Sequence, residues 1–117
     1  MLALAPSTAI YLCTGATDMR KGFDGLSQII ATHVEKNVLD GGLFVFVNRR
    51  RDRMKLLWWD QDGLAFFYKR LERGTFELPR VDRDAQSVVL TAMELSLILG
   101  GIDLASARRR KRYRRTA

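Results

Sequence analysis

LFVFVNRRRDRMKLLWWDQDGLAFFYKRL, residues 43–71, divides into three apolar runs separated by polar breaks. The runs Leu43 to Val47, Met54 to Trp59 and Leu64 to Leu71 are rich in aromatic and β-branched residues and have the length of strands. Asn48 to Arg53 joins the first pair. Asp60-Gln61-Asp62-Gly63 joins the second, with Asp62-Gly63 a tight-turn signal. Together they predict an antiparallel β-meander. Successive side chains of a strand face opposite ways, so Leu43, Val45 and Val47 point to one side while Phe44 and Phe46 point to the other. Trp58 and Trp59 must also divide between the two sides. Neither face is polar, so both faces need covering.

Upstream, Ala9 to Cys13 reads as a first strand ending at Thr14-Gly15. Met19, Phe23, Leu26, Ile30 and Val34 then recur at spacings that line one face of a helix from about Asp18 to Lys36. Asp18 suits the N-cap; Gly22 and Gly25 are unfavourable inside a helix, which makes Asp24 the alternative start. Downstream, Gly74 to Arg83 contains Pro79 and mixed charges and reads as a loop with room for an edge strand, and Ser87 to Leu90 as a further short strand. Thr91-Ala92-Met93-Glu94 is a capping-box pattern, followed by Leu95, Ile98 and Leu99 and stopped by Gly100-Gly101. The expected fold is α+β: a single small domain with an N-terminal β-α unit, the meander, a short C-terminal helix and a basic disordered tail. The first helix covers one face of the sheet. The second helix or a partner chain covers the other.

The 117 residues include 20 Lys+Arg and 13 Asp+Glu, a formal net charge of +7. Residues 108–117, RRRKRYRRTA, hold seven of those cations and no acid. Residues 1–107 therefore balance at 13 basic and 13 acidic groups. The excess belongs to the tail, and a body that attracts anions through its total charge is ruled out. The chain length and the 47% hydrophobic content fit one globular domain over residues 1–107. One cysteine, Cys13, and one histidine, His33, leave no material for a disulfide framework or a multi-ligand zinc site within one chain. No secretory signal or run long enough for a membrane span is visible, so the expected place is the cytoplasm, or the nucleoid when bound to DNA.

Three stretches point to chemistry. Arg108, Arg109, Arg110, Lys111, Arg112, Arg114 and Arg115 repel one another and cannot pack, so the tail reads as disordered when free. Extended, it spans about 33 Å, and its planar guanidinium groups suit phosphate. Such contacts do not read base sequence. Arg49, Arg50, Arg51, Arg53 and Lys55 form a second basic cluster at a hairpin tip, a shape that enters a DNA major groove; cations at a sheet end also serve simply to prevent aggregation. The third stretch, Thr14, Gly15, Thr17, Asp18, Arg20, Lys21 and Gly22, lies between a strand and a helix. It reads as a plain capping turn or as a phosphate-binding loop, though it lacks the Gly-Lys-Ser/Thr ending of a P-loop. The carboxylates Asp18, Asp24, Asp60, Asp62 and Glu72 have no spacing that forces them together around a metal. Acid-base and nucleophilic triads lack residues. No catalytic residue, metal or cofactor is expected.

The run TGATDMRKGFDGL, residues 14–26, resembles the signature of the TnpB accessory proteins of bacterial insertion sequence 66 elements. Two more blocks agree: Leu43-Phe44-Val45-Phe46 running into the arginine loop and Lys55, and Leu57 to Gly63 leading to Tyr68 to Phe76. The resemblance covers roughly residues 8 to 103. It departs at Phe76-Glu77-Leu78-Pro79, where family members carry tryptophan in place of Leu78. The resemblance implies a protein encoded beside a transposase and needed, with other element-encoded proteins, for transposition. The catalytic transposase is a separate polypeptide, and the RNA-guided nucleases that share the TnpB label are unrelated. The resulting expectation is a non-catalytic transposition accessory factor that contacts DNA through the hairpin and tail cations and presents an apolar surface to itself or to the transposase. The alternative is a protein-protein adaptor without direct nucleic-acid binding.

Overall fold

A strand that is apolar on both sides has to lie inside a sheet with cover above and below, and residues 43–47 occupy that position. The structure is a computed structural model describing residues 7–82 and 84–101. Strands β1 (Ile10–Cys13), β2 (Leu43–Val47), β3 (Arg53–Asp60), β4 (Gly63–Arg70) and β5 (Ser87–Leu90) form one sheet in the order β4-β3-β2-β1-β5. The β2-β3-β4 meander appears as expected, with Val47 opposite Met54 and Asp60 opposite Gly63. Strand β5 runs antiparallel to β1. Strand β1, however, lies parallel to β2, with Ile10 opposite Leu43. The N-terminal β-α unit thus closes into a β-α-β crossover within an α+β domain.

Helix α1 (Phe23–Ile29) runs directly into a π-helical turn, Ile30–Val34, and helix α2 (Ala92–Gly100) follows β5. Every residue of β2 is buried. On one face Leu43, Val45 and Val47 pack with Ile10, Leu12, Met54, Leu56, Phe76, Leu95 and Ile98, while on the other Phe44 and Phe46 pack with Leu26, Ile30, Val34 and Leu57. The two helices therefore cover opposite faces, and β2 is fully enclosed within the chain. Trp58 joins the α2 side, and Trp59, 36% exposed, faces the α1 side at its rim.

The helix begins later than the Asp18 reading placed it. Gly22, extended at φ −100° and ψ −152°, takes the N-cap position without a side-chain bond. Asp18 is not a cap, because its carboxylate is turned back on the Arg20 backbone and guanidinium. The alternative start at Asp24 was one residue late. At the far end Glu35 takes a left-handed conformation, φ 59°, and stops the helix. In the β3–β4 turn the positive φ belongs to Gln61, at 56°, so Gly63 opens the strand and does not supply the turn's special conformation. Helix α2 carries its capping box: Thr91 Oγ1 accepts from the Glu94 N–H at 3.0 Å and the Glu94 carboxylate accepts from the Thr91 N–H at 2.9 Å. Gly101, at φ 73°, closes it. No strand forms between Gly74 and Asp82, where the buried Phe76 instead seals the α2-side core. The basic tail, residues 108–117, and the expectation that it is disordered lie outside the described residues.

Phe46→Ala should cost about 3–5 kcal/mol, because it opens a cavity under α1 that the paired strands cannot close. Val89→Ala, at an edge position 65% exposed, should stay within about 0.5 kcal/mol. Urea unfolding of the two variants checks the contrast.

Candidate nucleic-acid interface

Parallel pairing places the carboxyl ends of β1 and β2 at the same edge of the sheet. The 14–22 loop and the arginine hairpin leave the sheet from those two ends, so stretches about 30 residues apart in sequence become neighbours. The contact is direct: the Thr17 N–H donates to the Val47 carbonyl at 2.9 Å. On the far side of the hairpin, Leu71 N–H donates to the Asp52 carbonyl and Phe76 N–H to the Arg51 carbonyl, each at 2.7 Å. The arginine loop is thus pinned from both flanks.

Its own side chains set its shape. Asn48 Oδ1 accepts from the Asp52 and Arg53 N–H groups at 3.1 and 3.0 Å, and Asn48 Nδ2 donates to the Asp52 carboxylate at 2.7 Å. That last bond, aided by the Arg50 and Arg53 charges, lowers the Asp52 pKa. Arg51 takes a left-handed conformation, φ 59°, that closes the turn. Asparagine at the head of such a loop bonds the backbone ahead of it, a signal available in the sequence that the arginines obscured. Arg49, Arg50 and Arg51 are exposed and form no salt bridge among the described residues.

The other two cations of the cluster behave differently. Arg53 Nη1 donates to the Tyr68 hydroxyl at 3.1 Å. Lys55 is only 5% exposed, and its ammonium donates to the Met19 and Lys21 carbonyls, both at 2.8 Å. It also lies 4.9 Å from the Phe66 ring centre and 4.8 Å from that of Tyr68. Lys55 faces α1 because it alternates with Met54 and Leu56, and a buried ammonium must find acceptors. It therefore leaves the set of surface cations assigned to nucleic acid and becomes the post on which the 14–22 loop is hung.

In that loop Thr14 Oγ1 donates to the Ala85 carbonyl at 2.5 Å, and Thr17 is buried. Gly15, Lys21 and Gly22 are exposed. Asp18 and Arg20 form an exposed bidentate pair, with Arg20 Nη2 2.7 Å from Asp18 Oδ2. Hydrogen bonds from the Arg20 side chain, then its backbone, lower the Asp18 pKa from 3.8 to about 2. The carboxylate is lower in the folded state, so the pair's contribution persists above pH 3.8 and fades as pH falls through about 2. An open groove of about 420 Å³ lies between the two loops, lined by Thr17, Asp18, Met19, Arg20, Asn48, Arg49, Arg50, Arg53 and Tyr68. Burial pushes the Cys13 thiol up to about 12. Among the described residues no three His, Cys, Asp or Glu side chains group as metal ligands, and no helix is long and apolar enough to cross a membrane.

The family model described as IS66 Orf2-like protein matches residues 8–109, and the chain belongs to that family, the accessory proteins of IS66 insertion sequences. Two relatives from Sinorhizobium fredii (strain NBRC 101917 / NGR234) are similar to it. The uncharacterized protein y4hO is 38% identical over 103 residues, covering 88% of each chain. The uncharacterized protein y4jC is 29% identical over 110 residues, covering 94% of this chain and 92% of its own. No solved structure matches significantly.

Lys55→Met should unbind two carbonyls from an ionic donor, at about 2–3 kcal/mol, and raise amide hydrogen exchange in residues 14–22 above that in β5. Cys13 should resist iodoacetamide at pH 8 in the native protein and react once urea unfolds it, since little thiolate forms with a pKa near 12.

Proposed function

We propose that this IS66 Orf2-like protein assists transposition by holding DNA at the arginine-hairpin end of its sheet. The observation that carries the reading is the set Arg49, Arg50 and Arg51: three exposed guanidinium groups without salt bridges among the described residues, on a loop fixed by Asn48 and braced by Thr17, Leu71 and Phe76. A loop whose backbone is already fixed loses little backbone freedom on meeting phosphates. Asp52, the acid within the loop, is engaged by Asn48. The seven cations of residues 108–117 add a second, sequence-independent contact. The element-encoded transposase and its other accessory proteins are the protein partners of this reading, and the nucleoid is its place in the cell. Both faces of β2 are already covered, so an apolar contact with a partner or second copy falls to side chains outside β2, such as Trp59 and Phe67 beside the free edge of β4.

A salt titration of duplex binding checks the assignment. The combination Arg49→Ala, Arg50→Ala, Arg51→Gly should reduce the magnitude of the log K against log salt slope by about 3, and removal of residues 108–117 by about 6. Glycine at 51 respects the left-handed backbone there. If the intact chain binds no DNA at low salt, the adaptor reading replaces this one.

A further inference from the structure

The groove between the arginine hairpin and the 14–22 loop has one property that phosphate contact alone does not use: an aromatic wall. Tyr68, on edge strand β4, is 41% exposed and lines the groove with Arg20, Arg49, Arg50 and Arg53. Its position is held from two sides. Lys55 stands 4.8 Å from the ring centre, and Arg53 donates to the hydroxyl at 3.1 Å. The ring is thus oriented before any ligand arrives. Asp18, the one carboxylate lining the groove among the described residues, is already paired with Arg20.

A paired base in a duplex has both faces stacked on neighbours and none to offer a protein ring. An unpaired nucleotide offers a π face and a phosphate a short distance apart. Cations along a backbone track with an aromatic ring beside them are the arrangement that holds single strands with little sequence preference. We propose that this groove binds single-stranded DNA, with a base stacked on Tyr68 and the flanking phosphates on Arg49, Arg50 and Arg53. The proposal rests on the DNA reading above and narrows it: the groove takes unpaired DNA, while the hairpin tip and the tail act on phosphates of any strand.

The test uses the intact chain with a labelled 12-nucleotide mixed-sequence strand and the matching blunt duplex, followed by fluorescence anisotropy at one salt concentration. Tyr68→Ala should weaken single-strand binding at least about fivefold, the lower end of what one stacked base contributes, and change duplex binding less than about twofold. Tyr68→Phe keeps the ring and should stay within about twofold on both. Circular dichroism confirms that each variant is folded. If Tyr68→Ala does not fold, photo-crosslinking of a bromodeoxyuridine-substituted strand to the unaltered chain replaces it, with the crosslink expected on the β4 peptide. An unchanged single-strand affinity, an equal loss on both probes, or a crosslink confined to residues 108–117 overturns the proposal while leaving DNA binding itself intact. Absence of binding to either probe at low salt removes the underlying DNA reading as well.

Discussion

The two-sided burial of β2 is the constraint on which the rest of the structure depends. Five consecutive residues with apolar side chains pointing both ways cannot sit at an edge or on an open sheet without exposing one row to water. Strands β1 and β3 flank it, α1 closes the phenylalanine side, and α2 with Phe76 closes the aliphatic side. Enclosing β2 by the chain's own helices also takes both faces of that strand out of contact with partners. Contact surfaces are left at the edges and ends of the sheet.

The end of the sheet that carries the cations is organised by a charge hidden from solvent. Among the described residues Lys55 neutralises no carboxylate; its ammonium faces two backbone carbonyls and two aromatic rings. An ammonium in such surroundings is tolerable only if the loop supplying those carbonyls stays in place, so Lys55 and the 14–22 loop hold one another. Phe66 and Tyr68 are part of the same arrangement, which links the loop, the hairpin and the edge strand. Removing the loop would strand a charge in the core. The 14–22 stretch therefore has a structural reason for its composition before any ligand is considered.

Much of this was legible in the sequence. The alternation in residues 43–47 gave the two faces, Thr91 to Glu94 gave the α2 cap, and the resemblance in three ordered blocks gave the family. Local patterns of that kind succeed because their causes lie within one element: pleat, turn or first helical turn. The errors came where another group competed for the residue, a near one for Asp18 and distant ones for Lys55 and Phe76. Asp18 was expected to cap α1 and instead holds Arg20, leaving Gly22 as the cap. Lys55 was counted with the surface arginines because it stands among them, yet the pleat turns it inward beneath a loop more than 30 residues away. Phe76 lay in a stretch read as loop, and nothing nearby signalled that it would seal a core.

The sequence by itself determined the kind of chain this is: a family member with a charge-balanced body, a doubly apolar central strand and seven cations concentrated in ten residues. Those properties depend on composition and period, which are fixed before folding. Only the tertiary structure decided that β1 pairs parallel to β2, and hence that the Thr-Gly loop and the arginine hairpin rise from the same edge. Strand direction and neighbour depend on how the crossover through α1 packs against the sheet, which is a non-local energy that no window of sequence contains. The same packing sorted the five cations of the cluster into three facing water, one on Tyr68 and one in the core.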